Sequence, residues 1–134
     1  MGLFSKLFGG SNAPERRPSA PEPAPEPAPA WKELSPDECR QRIESGGVVV
    51  LDVRMPMEHQ SRRIKGARLI PVQQLAMRMG ELDKAATYVV HCEHGMRSTD
   101  ACYLLTQSGF PNVFEMGGGL AMYQGPTESG PPKA

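Results

Sequence analysis

Apolar residues along this chain gather in short runs set between polar, helix-like stretches. Val48-Val49-Val50-Leu51-Asp52-Val53 and Thr87-Tyr88-Val89-Val90-His91 show almost no polar alternation, the pattern of strands buried on both faces. Shorter runs predict strands at 67–70, ended by Pro71, and at 113–116, just before Gly117-Gly118-Gly119. Ser35-Pro36-Asp37-Glu38 supplies an N-cap, a proline at the first helical position and two acids in the first turn. A helix is therefore predicted from there to Ser45, stopped by Gly46-Gly47. Further helices are predicted over 57–63, 73–82 and 99–108, the last closed by Gly109. Helices alternating with buried-type strands give an α/β fold, a parallel sheet covered on both faces.

Residues 1–30 do not share this pattern. Pro21-Glu22-Pro23-Ala24-Pro25-Glu26-Pro27-Ala28-Pro29 repeats proline with Ala or Glu, which removes N–H donors and fixes φ. The tract reads as a disordered polyproline spacer of about 3.1 Å per residue. Ahead of it, Leu3, Phe4, Leu7 and Phe8 share one helical face, a short peripheral contact for a membrane or partner at residues 1–10. Gly2 lacks the Ser or Thr at position 6 that myristoylation needs, because Lys6 is there. The expected division is a tail and linker at 1–30, one domain at 31–127 and a disordered tail at 128–134.

Charge and cysteine content narrow the class. The 134 residues carry 15 Lys+Arg against 15 Asp+Glu, a balance that disfavours nucleic acid as a partner. Three cysteines, Cys39, Cys92 and Cys102, are too few for a disulfide framework. No secretory signal is read, and no apolar stretch approaches the roughly 20 residues that cross a bilayer. The expectation is a cytoplasmic monomer, at most peripheral to a membrane, with reduced thiols.

The chemistry concentrates in Cys92-Glu93-His94-Gly95-Met96-Arg97-Ser98, which follows a strand and precedes a helix. A thiol at such a junction faces converging N–H groups, the positive end of the helix dipole and the charge of Arg97. All three favour thiolate, the nucleophilic form. Gly95 permits a backbone turn that a side chain would obstruct. Ser98 is placed to cap the following helix, which makes Arg97 the last loop residue.

Taken in order, Leu51-Asp52-Val53-Arg54 with Glu58, Ile64-Lys65-Gly66-Ala67, the Cys92-x-x-Gly95-x-Arg97-Ser98 loop, Gly109-Phe110-x-Asn112-Val113, and Gly118-Gly119 with Tyr123 resemble the rhodanese family. The resemblance spans nearly all of residues 31–124. It implies a single domain with a central parallel sheet of about five strands and a cysteine that carries sulfane sulfur as a persulfide. By position, Cys92 is the catalytic nucleophile. Glu93, His94, Gly95, Met96 and Arg97 form the persulfide- and substrate-binding loop, and Asp52, Arg54 and Ser98 support it. The implied activity moves sulfur from thiosulfate or a thiol or protein persulfide to a nucleophilic acceptor such as a thiol or cyanide. No cofactor or metal is implied.

Two other classes compete. A non-catalytic or carrier module could use the same fold to dock a partner. Cysteine phosphatases and arsenate reductases place five residues between Cys and Arg, whereas four separate Cys92 from Arg97, a tighter ring suited to one sulfur atom. Glu93 departs from the basic residues that often open the loop of thiosulfate-using enzymes. A carboxylate about 6 Å away repels each substrate charge by roughly 3 kcal/mol at an effective dielectric near 20, which favours a persulfide donor over thiosulfate. The remaining candidates read as structural. Asp52 and Glu58 pair with Arg54, Cys39 and Cys102 pack in the core with Cys102 the alternative resolving thiol, and His91, Cys92 and His94 lack the spacing of a metal site.

Overall fold

The computed structural model describes residues 30–131. Its elements in chain order are β1 (Lys32–Leu34), α1 (Pro36–Ser45), β2 (Val48–Asp52), α2 (Pro56–Ser61), β3 (Arg63–Ile64), β4 (Arg68–Leu69), α3 (Val72–Arg78), β5 (Thr87–His91), α4 (Met96–Gln107), β6 (Val113–Met116) and β7 (Thr127–Glu128). Single 3-10 turns lie at Met79–Glu81 and Leu120–Met122.

Five strands form one parallel sheet in the order β1-β6-β5-β2-β4. The two long β-branched runs, β2 and β5, lie side by side within it, and their register pairs Val50 with Val89 and Asp52 with His91. Their side chains alternate between two cores. Leu51, Tyr88 and Val90 join Leu75, Ala101 and Leu105 from α3 and α4, while Val50 and Val89 join Cys39 and Ile43 from α1. A fully buried aliphatic side chain contributes about 1.5–3 kcal/mol, so two-sided burial makes these the most strongly specified strands. Because Asp52 and His91 are level, the chain leaving β2 and the chain leaving β5 emerge at the same edge, where sites of open parallel sheets form.

Local signals set the first helix. Ser35 Oγ accepts the Glu38 N–H at 3.1 Å and Glu38 Oε1 accepts the Ser35 N–H at 2.9 Å, a capping box worth about 1 kcal/mol. Its closure at Gly46 matches the expectation from Gly46-Gly47.

Several elements depart from the sequence reading. Helix α4 begins at Met96 rather than Thr99, with Gly95 as its N-cap residue, so Arg97 sits in the first turn and Ser98 caps nothing. Strand β1 was not anticipated, since Lys32 and Glu33 are exposed and only Leu34 is buried at this sheet edge. The expected end of the fold at 127 is also too early. β7 pairs antiparallel with β3, and the Arg63 guanidinium donates to the carbonyls of His59 and Gly130. The tail and spacer expected at 1–30 lie outside the described residues except for Ala30.

Candidate active site

The loop after β5 is built from both sides. Its own chain turns at Gly95, whose φ of 109° is open to glycine at little cost and aims its N–H back at Cys92. That N–H donates to Cys92 Sγ at 3.0 Å. From the opposite side the turn after β6 grips the loop backbone, with Leu120 N–H on Cys92 O at 2.9 Å and Ala121 N–H on Glu93 O at 3.1 Å. A Cβ at Gly119, where φ is 69°, would stand 2.3 Å from Glu93 O and 2.7 Å from His94 N. Only glycine lets these two backbones touch.

Cys92 is 1 % exposed, and burial by itself raises a thiol's pKa. Hydrogen bonding with the Ser98 hydroxyl, and from the backbone N–H groups of Ser98, Gly95 and His94, outweighs it, so the thiol titrates below its ordinary value. The loop and the first turn of α4 thus present several donors to one sulfur atom. Cys39 and Cys102 are equally buried without such donors. Burial pushes the Cys39 thiol up to about 12 and Cys102 higher still.

Beneath the loop, Arg54 is 2 % exposed and fully engaged. It donates from Nε to Asp52 Oδ1 at 2.9 Å, from Nη2 to Asp52 Oδ2 at 2.8 Å and to Arg62 O at 2.6 Å, and from Nη1 to Glu93 Oε1 at 3.0 Å. Burial would raise the Asp52 carboxyl, but the Arg54 guanidinium brings it below its ordinary value, with His59 Nδ1 2.9 Å away. A column of side chains therefore links the end of β2 to the loop.

Residues 35–125 match the family model for the rhodanese-like domain. The chain belongs to the rhodanese-like domain family. It is 32% identical over 89 residues to a sulfurtransferase of Allochromatium vinosum, covering 66% of this chain and 83% of that one. It is 33% identical over 94 residues to the thiosulfate sulfurtransferase GlpE of Pseudomonas aeruginosa strain LESB58, covering 70% and 84%. Among solved structures it resembles a rhodanese-related protein of Thermoplasma volcanium with a TM-score of 0.68 at 28% identity, covering 73% and 98%. These likenesses support a sulfurtransferase activity of rhodanese type.

Within the rhodanese-like frame, the residues expected at the site sit as follows. Cys92, Gly95 and Ser98 come together around the sulfur, and Asp52 and Arg54 stand below. His94 is exposed and contributes its backbone N–H; Met96 is 82 % exposed and lines a surface cavity with Gly95, Arg97 and Thr99. Glu93 is not a free repelling charge, because Arg54 holds it. Glu58 does not pair with Arg54. Its carboxylate takes Arg97 in a bidentate bridge at 2.7 and 2.9 Å, and Oε1 also accepts the Met55 N–H at 2.9 Å. A cation in the first turn of a helix opposes the dipole, and Glu58 offsets it. The Arg97 guanidinium holds the Glu58 carboxyl down to about 2.

The sequence reading missed Gly119 as the buttress of the loop and missed Glu115. Glu115 is an acid inside the apolar strand β6 and is only 4 % exposed, a sequence signal in its own right. Among the described residues no group of three His, Cys, Asp or Glu side chains is arranged as a metal site, and no helix is long and apolar enough to cross a membrane.

Proposed function

We propose that this protein is a sulfurtransferase in which Cys92 carries sulfane sulfur as a persulfide. The observation that carries this reading is the ring of donors on Cys92 Sγ, with the Gly95 N–H at 3.0 Å. Such donors stabilise an anion on sulfur before and after loading, as an oxyanion hole does for oxygen. The Cys92 thiolate attacks the outer sulfur of the donor and forms an S–S bond. The donor's own bond to that sulfur breaks and its electron pair leaves with sulfite or with a thiolate. A nucleophilic acceptor such as cyanide or a thiol then takes the outer sulfur, and the Cys92 thiolate returns. Gly95, the His94 backbone, Met96 and Glu93 shape the mouth, and Asp52, Arg54 and Ser98 hold the loop.

Both charged side chains of the loop are occupied, Glu93 by Arg54 and Arg97 by Glu58. Neither cation is offered to a dianion, which favours a thiol or protein persulfide over thiosulfate as donor, although relatives carry the name thiosulfate sulfurtransferase. The four-residue spacing between Cys92 and Arg97 favours sulfur over phosphate or arsenate. Met57 and Met96, next in sequence to Glu58 and Arg97, are 82 % exposed each and suit docking of a protein acceptor or donor. The working setting is the cytoplasm, as a monomer.

The test is side-by-side loading with thiosulfate, mercaptopyruvate and glutathione persulfide. One sulfur should add to the mass of the protein, cyanide should release it as thiocyanate, and Cys92→Ser should do neither. Turnover by Cys92→Ser at the normal rate would refute the reading.

A further inference from the structure

The Ser98 hydroxyl has one proton and two claimants. Its Oγ lies 3.5 Å from Cys92 Sγ and 2.6 Å from Glu115 Oε2, and both side chains are buried. Glu115 also accepts the Thr99 hydroxyl on Oε2 at 2.8 Å and the Trp31 indole N–H on Oε1 at 3.0 Å. Donors reach both oxygens of this buried side chain, as a carboxylate requires, with the single Thr99 proton shared between Oε2 and Gly95 O, and the short bond to Ser98 marks the strong, charge-assisted kind. While Glu115 holds the hydroxyl proton, Ser98 shows the sulfur a lone pair. That arrangement accepts an S–H and does nothing for S⁻.

We infer that Glu115 is a positioning residue which, through the Ser98 hydroxyl, restrains ionisation of Cys92 until the hydroxyl turns toward the sulfur. The inference deepens the sulfur-carrier reading and rests on it. In the resting thiol, Cys92 S–H donates to Ser98 Oγ and Ser98 O–H donates to Glu115. When the thiol proton leaves to water or buffer base, the hydroxyl swings and donates to the new thiolate or persulfide anion. Trp31 and Thr99 then keep Glu115 hydrogen-bonded, so the swing leaves no carboxylate without partners. The loaded and ionised states are thereby coupled to one rotor.

Other charged or titratable groups surround the pair. Cys102 lies on the same helix, Arg97 is held by Glu58 of α2, Glu93 and His94 are in the loop, Glu33 is level with Glu115 on β1, and Asp52, Arg54 and His91 lie at the ends of β2 and β5. Replacing Glu115 removes no hydrogen bond or ion pair among these groups; it removes only the negative charge that helps raise the Cys102 thiol. Glu115→Gln has one orientation open to it. The indole N–H of Trp31 can only donate, so the amide oxygen must face it, and the NH₂ then faces Ser98 and Thr99, whose hydroxyls can accept. Thr99 already has Gly95 O as an acceptor 2.9 Å away. The amide therefore drives the Ser98 proton toward Cys92.

The experiment is the pH dependence of iodoacetamide alkylation at Cys92 in the full chain, read by mass spectrometry of the Cys92 peptide. Glu115→Gln should react roughly tenfold faster on the acid side of the profile, the scale of one hydrogen bond redirected to an anion. In the Ser98→Ala background the same substitution should produce little further change, since the route is gone. Trp31→Phe should shift the profile the other way, by a few-fold, because Glu115 with one donor fewer grips the Ser98 proton harder. Unchanged or slower alkylation in Glu115→Gln overturns the inference, as does equal acceleration with and without Ser98, which would make Glu115 a through-space charge only. If Glu115→Gln does not fold, Trp31→Phe decides, and acceleration or no change there overturns it. Sulfur transfer surviving in Cys92→Ser would instead refute the carrier role and leave these alkylation results standing.

Discussion

Cys92 and Cys102 are ten positions apart and equally hidden, at 1 % and 0 % exposure, yet their chemistry is opposite. Cys102 lies inside α4, where neighbouring N–H groups are spent on the helix, and it packs in the core formed by Leu105, Val90 and Val113. Cys92 lies just before the same helix, where the first-turn N–H groups have no helical partner and turn to sulfur. Burial pushes both thiols up; donors reverse it for one only. The difference teaches that a reactive thiol in this fold is made by position relative to a helix start, not by access to water.

The comparison breaks most completely at the sulfur. Cys92→Ser should lower thiocyanate formation by about a thousandfold or more, because nothing else near the loop can carry sulfur. Cys102→Ser should load at close to the normal rate, and the sulfane assay on both variants reads the contrast directly.

Gly119→Ala attacks the framework instead. A Cβ there meets the backbone of Glu93 and His94 at a positive φ, so the loop must move or the turn must open. A stability loss of about 2–4 kcal/mol is expected, with loading down by roughly two orders of magnitude. Thermal unfolding together with the sulfane assay checks both, and a variant with normal stability would contradict the buttress.

Cys102→Ala sharpens the other side. It should cost about 1–2 kcal/mol by opening a small void in the core and leave the Cys92 alkylation profile unmoved. A shifted profile would show that the two thiols communicate.

Glu58→Gln gives the smallest change. The folded carboxyl is held at about 2 against an ordinary 4.5, so its bridge to Arg97 contributes fully above about 4.5 and is lost as pH falls toward 2. The pair is about one-third exposed, which limits the contribution to under about 1 kcal/mol. Urea denaturation should find wild type more stable than Glu58→Gln at pH 6, with the gap shrinking at pH 3.

Much of this was legible in the chain. Two-sided burial leaves an unbroken β-branched run, so β2 and β5 were readable, and the Ser35 capping box announced α1. Edge strands lack that signature. β1 reads as two charged residues and a leucine, and its place was set by pairing with Phe114, Glu115 and Met116. The start of α4 was misread because Ser98 looks like a cap, while its hydroxyl in fact turns inward to Glu115. Side-chain partners separated by long stretches of chain were the least readable. Glu58 with Arg97, Arg54 with Glu93, and Gly119 against Glu93 each depend on how three loops meet at one sheet edge.

The central claim is that donors at the head of α4 make Cys92 ionise more readily than an ordinary thiol while burial keeps its sister thiols neutral. The most direct test is competitive alkylation of the folded protein from pH 5 to pH 10, with each cysteine peptide quantified separately. The account predicts that Cys92 reacts along a curve centred below the ordinary thiol range, with Cys39 and Cys102 unmodified throughout. A Cys92 curve at or above that range, or alkylation of Cys102 keeping pace with it, would contradict the account.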